Sequence, residues 1–320
     1  MASLHEQIAD RHADILAYSR GLEADAQRRV KSLALEIATI LAGRDLSRLS
    51  RRELNALIAS VASSVDSIYL LIAKEGDKGL TSMMAATTPS LARLVKSRRR
   101  TAPSLADVLI TGATTSELWA SSSESVKRAA IRAIRLAALN EQLSSTDTLF
   151  AKNGIFDKAA KGAKVNTQAA VLSAETAIKK AVATETSLIS GYRFSSMFDS
   201  QACLTCAAMD GKLFDREMVA LDSSVRAVGS APLHFGCRCI MVPELPEDGP
   251  ASAIPGADGM VSRGLTFEEW ISKKSKRYQE AYFGRGRYEL WKKGEITLSD
   301  LINGQGRTVT LDELRRKYGE

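Results

Sequence analysis

At 320 residues, with 45% hydrophobic and 25% charged side chains, the chain has the balance of a folded protein of roughly two domains, which excludes wholesale disorder and a collagen-like or disulfide-dense scaffold. Its 44 Lys and Arg against 37 Asp and Glu leave a net charge of +7, a mild and distributed excess that suits proximity to a polyanion without defining a groove reader. No uninterrupted apolar run approaches the ~18 residues of a membrane span, and the opening MASLHEQIADRHADILAYSR lacks a basic-then-apolar signal pattern, so a cytosolic origin and no membrane partner are expected.

Helices dominate the first half. One is expected between Ala13 and Leu41, ending near Gly43. A second follows the Ser50/Glu53 capping box, where Leu54, Leu57, Ile58, Val61, Val65, Ile68, Leu71 and Ile72 recur at three- and four-residue steps and share one face. Gly76 is expected to close it, leaving 87–103, with Pro89, Pro103 and the basic KSRRR, as a connector. Two further helices are read over 116–143 and 165–189. In the first, Leu118, Val126, Ile131, Ile134 and Leu136 lie among Lys127, Arg128, Arg132 and Arg135, a basic face suited to phosphate or to water.

After Gly191 the texture changes. Tyr192, Phe194, Met197 and Phe198 form a short strand-like segment, and all four cysteines follow. Five of the seven prolines fall after residue 231, and the stretch 243–264 reads as an extended linker. Beyond it, Thr266/Glu269 and Thr310/Glu313 are capping boxes ahead of short helices. The basic clusters Arg51–Arg52, Lys96 with Arg98–Arg100, Lys273–Lys274 with Lys276–Arg277, and Arg315–Lys317 read as solvated helix faces or ends. The expected fold class is mainly α, with a helical region over 1–190, a small zinc-stapled α+β module over 191–242, the linker, and short helices over 265–320.

The chemistry is concentrated in the cysteines. Cys203 and Cys206 form a C-x2-C pair, and His234, Cys237 and Cys239 place three more soft ligands within six residues. A C-x2-C knuckle aims two thiolates at one ion, and a second short cluster completes a tetrahedron, so one structural zinc held by four of these five residues is expected, two disulfides or free thiols being the alternatives. Cys203, Cys206 and Cys239 are the favoured ligands, with His234 or Cys237 as the fourth. The H-x-E and P-C-x-x-C order of zinc deaminases is not followed. The C-x2-C lies in no βαβ pattern, and H-E-x-x-H, Walker and G-x-S-x-G motifs do not occur. Gly284-Arg-Gly-Arg287 lacks the third glycine of a nucleotide loop and reads as a turn between helices. No catalytic residue is nominated, and an enzyme is not expected.

The string Asp199-x3-Cys203-x2-Cys206, then Asp210-Gly211-Lys212, then Pro232-x-His234 and Cys237-Arg238-Cys239, resembles the core of the phage head morphogenesis family typified by the F protein of phage Mu. Residues 199–239 carry the resemblance, and Phe267-Glu-Glu-Trp270, Phe283 to Tyr288, Gly294, Asp300 and Leu311 to Leu314 are similar to the segment that often closes such proteins. One departure is Phe235-Gly236 before Cys237, where Pro-Asn is more usual.

The resemblance implies a minor head protein of a tailed phage or prophage. Such a protein sits in the virion, in the capsid interior or at the portal vertex, after assembly in the host cytoplasm. It would be associated with the portal protein through the helical region and involved in head assembly and DNA packaging or ejection, with the major capsid or scaffolding protein as a further partner and non-specific DNA contact possible. The alternative is a zinc-containing nucleic-acid-binding protein or an effector or toxin module.

Overall fold

The computed structural model describes residues 4–140, 145–245, 253–256, 259–262 and 265–318. The chain is mainly helical with a small three-stranded sheet. Five helices come first: α1 (Leu4–Leu41), α2 (Arg51–Leu94), α3 (Thr115–Leu139), α4 (Ser145–Phe150) and α5 (Ile155–Ala183). Strand β1 (Gly191–Ser195), helix α6 (Leu204–Met209), and strands β2 (Leu213–Phe214) and β3 (Ile240–Glu244) follow. A two-stranded hairpin, β4 (Ala253–Gly256) with β5 (Gly259–Ser262), precedes α7 (Phe267–Ser272), α8 (Lys276–Phe283), α9 (Arg285–Lys292) and α10 (Leu311–Tyr318).

Contacts divide the chain into two compact units. One holds Ile15–Met83 and Ser104–Ala174; the other holds Met1–Asp14, Met84–Pro103 and Glu175–Glu320. This division follows contacts between distant segments rather than the sequence boundaries at 190, 242 and 264.

The first unit is a helical core. Val30, Leu33 and Ile37 of α1, Leu57, Val61 and Val65 of α2, Val126, Ala130 and Ile134 of α3, and Phe156, Ala160 and Ala163 of α5 are all buried in it. Their three- and four-residue spacing is what puts them on facing stripes, and the alanines let helix axes approach closely. The Ser50/Glu53 capping box forms as expected, with Ser50 N donating to Glu53 Oε2 at 2.8 Å and Glu53 N to Ser50 Oγ at 3.3 Å. Thr114 and Glu117 make an equivalent box at the start of α3.

Several sequence expectations are corrected here. Helix α2 does not stop at Gly76 but runs on through Gly79 and Pro89 to Leu94. Gly79 serves close packing, since a Cβ there would lie 2.8 Å from Leu22 Cδ2, and its carbonyl accepts the Tyr18 hydroxyl at 3.0 Å. The connector therefore begins only after Leu94. Helix α1 starts at Leu4 rather than near Ala13, and it ends where Gly43 adopts φ +69°. Helix α5 begins at Ile155, ten residues ahead of the expected start, and ends at Ala183. Within α2 one 18-residue window reaches a mean hydropathy of 1.8, long and apolar enough to cross a membrane by composition alone. Leu57, Ile58, Val61, Val65, Tyr69 and Ile72 are nevertheless buried in the helical core, and the exposed Asp66 of the same helix pairs with Lys127 of α3 at 3.0 Å.

The second unit is built on the antiparallel sheet β2-β1-β3. Tyr192 pairs with Phe214 on one side and Pro243 on the other, while Arg193 and Glu244 form an ion pair at 2.8 Å. Tyr192 and Phe194 lie in β1 as expected, whereas Met197 and Phe198 lie beyond it. Gly191 is required at its place, because a Cβ there would fall on the Phe214 carbonyl oxygen. The expected linker is corrected in part: Pro243 and Glu244 belong to β3, and β4 pairs with β5. Its remaining positions, 246–252, 257–258 and 263–264, lie outside the described residues.

The tail forms short helices as expected, with both capping boxes in place and Gly284 at the turn between α8 and α9. Its aromatic cluster of Phe267, Trp270, Phe283 and Tyr288 packs with Phe198. The unit also buries a charged group no sequence pattern marks. Glu175 Oε2 lies 2.8 Å from His12 Nδ1 and Oε1 lies 2.6 Å from Lys179 Nζ, all three residues being at most 4% exposed. Burial pushes the Glu175 carboxyl up, but His12 and Lys179 outweigh it and hold the group at about 2.

Candidate metal centre

The local fold brings the expected ligands together. Cys203 is the N-cap of α6, its sulfur accepting the amide of Cys206 at 3.3 Å, so both cysteines stand on the first turn of one short helix. An N–H···S bond of this kind is how a knuckle stabilises thiolate charge while both sulfurs point the same way. The facing loop follows the cis Ala231–Pro232 bond, turns at Gly236 with φ +79°, and leads into β3. It carries His234, Cys237 and Cys239. Cys237 N donates to the His234 carbonyl at 3.0 Å, closing the turn that places imidazole and thiol on one side.

Five side chains thus form two triples that share Cys206: Cys203, Cys206 and His234, and Cys206, Cys237 and Cys239. His234 Nε2 lies 3.1 Å from Cys203 Sγ and 3.3 Å from Cys206 Sγ, and Cys206 Sγ lies 3.7 Å from Cys237 Sγ. A tetrahedral zinc with Zn–S of about 2.3 Å and Zn–N of about 2.0 Å would separate its ligands by about 3.5–3.8 Å; the donor set suits such an ion, the Cys206–Cys237 separation matches it, and the two His234–sulfur separations are shorter. His234 Nδ1 is 2.9 Å from the Phe235 carbonyl; donating there leaves the Nε2 lone pair for metal. Cys206, Cys237 and Cys239 are at most 3% exposed, while Cys203 and His234 are half-buried. All four cysteines are free thiols, so the disulfide alternative is not what this arrangement contains.

The electrostatics of the cluster are those of crowded acids. Cys203 is lowered to about 4, first by its hydrogen bond with Cys206 and then by His234, against the opposing effect of burial. His234 is raised to about 9 by Cys203, burial opposing. Cys237 is lowered by Cys206 and Cys239, whereas Cys206 is raised by its neighbouring sulfurs and burial. Cys239 is raised as well: Cys206 favours its thiolate, but Cys237 and burial prevail. Adjacent thiolates cannot all ionise without a cation between them, and a divalent metal would displace the protons that Cys206 and Cys239 retain.

Three further residues of the string are fixed here, in roles the sequence did not spell out. Asp199 takes both arms of the Arg238 guanidinium, Nη2 to Oδ1 at 2.8 Å and Nη1 to Oδ2, and accepts the amides of Gln201 and Ala202 at 2.9 and 3.0 Å. Arg238 stands between two candidate ligands and Asp199 opens the knuckle segment, so this pair ties the halves of the cluster together. Asp210 joins the module to the tail, accepting Ser196 N at 2.8 Å and Phe267 N at 2.9 Å. The D-x3-C and C-R-C spacings were the available signal for the first pair; nothing in the sequence signalled the second. No family model, curated protein or solved structure matches the chain.

Proposed function

We propose that this protein is a structural minor head protein of a tailed phage or prophage, that four of Cys203, Cys206, His234, Cys237 and Cys239 hold one zinc ion, and that the ion is a staple rather than a reaction centre. The observation that carries this reading is the convergence of the string from Asp199 to Cys239: its four cysteines, His234, Asp199 and Arg238 meet in one compact arrangement. Zinc would supply a rigid, charge-neutralising crosslink between α6 and the loop leading into β3. The chain's own residues do the rest. The amide of Cys206 supports one thiolate, the Phe235 carbonyl orients the imidazole, and the Asp199–Arg238 pair fixes the two ligand-bearing segments relative to each other. Deep burial of three of the thiols supports a closed structural site over a substrate-accessible one.

In this reading the partner is the portal protein, with the major capsid or scaffolding protein as a further contact during assembly and a place in DNA packaging or ejection. The test is composition. Mass spectrometry of purified particles of the encoding phage should find the chain at low copy, and detergent-free disassembly should leave it sedimenting with the portal ring. A chain found free in the host cytosol, turning over a substrate and absent from particles, would overturn the proposal in favour of an effector enzyme.

A further inference from the structure

The first unit presents a row of exposed arginines on α3. Arg128, Arg132 and Arg135 of α3 are exposed and lie within about one sixth of the helix circumference, since steps of four and three residues return to the same face at 3.6 residues per turn. Arg128 is 74% exposed and makes one long ion pair, 3.6 Å to Glu124. Among the described residues neither Arg132 nor Arg135 has an ion-pair or hydrogen-bond partner. With Ile131 and Leu136 the three arginines line a shallow recess of about 390 Å³.

The basic cluster of the connector differs. Arg99 pairs with Glu185 at 3.2 Å and donates to the Thr101 carbonyl, and Arg100 donates to the carbonyls of Ser97 and Arg99, so this cluster helps to hold its own connector. On α3, like charges at four- and three-residue spacing repel, and among the described residues none supplies a counter-charge to Arg132 or Arg135.

We propose that this face of α3 binds the phosphate backbone of nucleic acid, without reading sequence. Guanidinium forks match phosphate oxygens in pairs. The arginines span about 10 Å of helix axis, within reach of consecutive phosphates that advance about 3.4 Å per nucleotide along one strand. A lipid surface fits less well, because the apolar side of α3 is spent in the helical core: Trp119, Val126, Ala130, Ala133, Ile134 and Ala137 are all buried. Only Leu136 and Leu139 remain exposed among the arginines, too few to insert. This inference does not depend on the portal reading or on zinc.

The experiment is fluorescence anisotropy of the full-length protein with a labelled duplex of arbitrary sequence over a salt series. Wild-type protein should bind, with log K falling linearly against log salt. The Arg132→Gln/Arg135→Gln variant should weaken binding on the order of 10- to 100-fold at moderate salt and reduce the slope by about 1.8, two phosphate contacts being lost. Arg132→Lys/Arg135→Lys should keep most of the slope, and Arg315→Gln/Arg316→Gln, which removes the same charge from α10, should change it less. Both α3 variants alter exposed side chains, so unchanged circular dichroism is expected. No binding by wild-type protein, an unaltered slope in the Gln variant, equal effects of the α3 and α10 variants, or capture by phosphatidylserine vesicles in place of duplex would each overturn the proposal.

Discussion

The Asp199 carboxylate and the Arg238 guanidinium form a two-pronged ion pair, and each is adjacent in the chain to a candidate metal-ligand segment. Their side chains are 14% and 25% exposed, so the charges attract with little screening. Burial pushes the Asp199 carboxyl up, but Arg238 and two backbone amides outweigh it and hold the group below the usual carboxylate range. Asp199→Asn is therefore expected to cost about 1.5–3 kcal/mol of unfolding free energy. Because the folded-state value is lowered, this stabilisation is present above the ordinary aspartate value near ~3.9 and is lost as pH falls through the lower folded value. Urea titrations of wild type and variant should converge on acidification; a constant gap would show that the pair contributes nothing.

The metal should be removable and its removal consequential. One zinc per chain is expected by elemental analysis of protein prepared without chelator. Chelation should expose the four thiols to a thiol reagent and unfold the segment from Asp199 to Val242, since such sites contribute on the order of 10 kcal/mol. Single Cys→Ser variants at Cys206, which belongs to both triples, should lose metal completely. Comparing His234→Ala with Cys237→Ser then identifies the fourth ligand as the one whose loss lowers affinity most. Metal-free protein with the segment still folded would exclude the site.

The buried trio of His12, Glu175 and Lys179 makes a second, independent demand on charge. Glu175→Gln leaves the Lys179 ammonium buried without its counter-ion and is expected to destabilise the fold by about 3–5 kcal/mol. Glu175→Gln combined with Lys179→Met should recover much of that loss. With the folded-state value held at about 2, the contribution of Glu175 is full above the ordinary glutamate value of about 4.3 and disappears between there and pH 2. Thermal melts of the two variants against wild type, run at neutral pH and near pH 3, check both the sign and the rescue.

Two glycines should respond in opposite directions. Gly191→Ala puts a methyl group onto the Phe214 carbonyl where β1 and β2 pair, and a loss of about 1–3 kcal/mol is expected. Gly76 sits inside α2 with nothing nearer to a new Cβ than Trp119 Nε1 at 3.9 Å, so Gly76→Ala should stabilise by about 0.5–1 kcal/mol through helix propensity. Denaturant midpoints of the two variants give the comparison directly, and equal shifts would contradict the packing described here.

The sequence by itself determined where helices could form and which side chains would be chemically exceptional. Periodicity from Leu54 to Ile72 marked a buried stripe, Ser50/Glu53, Thr266/Glu269 and Thr310/Glu313 marked helix starts, and the spacing of Cys203, Cys206, His234, Cys237 and Cys239 marked a cluster, because these are local patterns set by the geometry of one turn or one strand. What tertiary structure alone decided depends on partners far along the chain. Gly76 and Pro89 look like helix ends, yet α2 runs through both, with Gly76 beside Trp119 of α3 and Gly79 against Leu22 of α1. Glu175 and Lys179 look like solvated residues of an alanine-rich helix, yet His12, more than 160 residues away, joins them in the interior. Asp199 meets Arg238 across 39 residues, and which arginines are spent within the fold and which are left on the face of α3 is settled only by where the other elements lie. Local patterns report propensity and residue type, whereas burial and pairing follow from the whole packed arrangement, and it is burial that turns ordinary charged residues into structural ones.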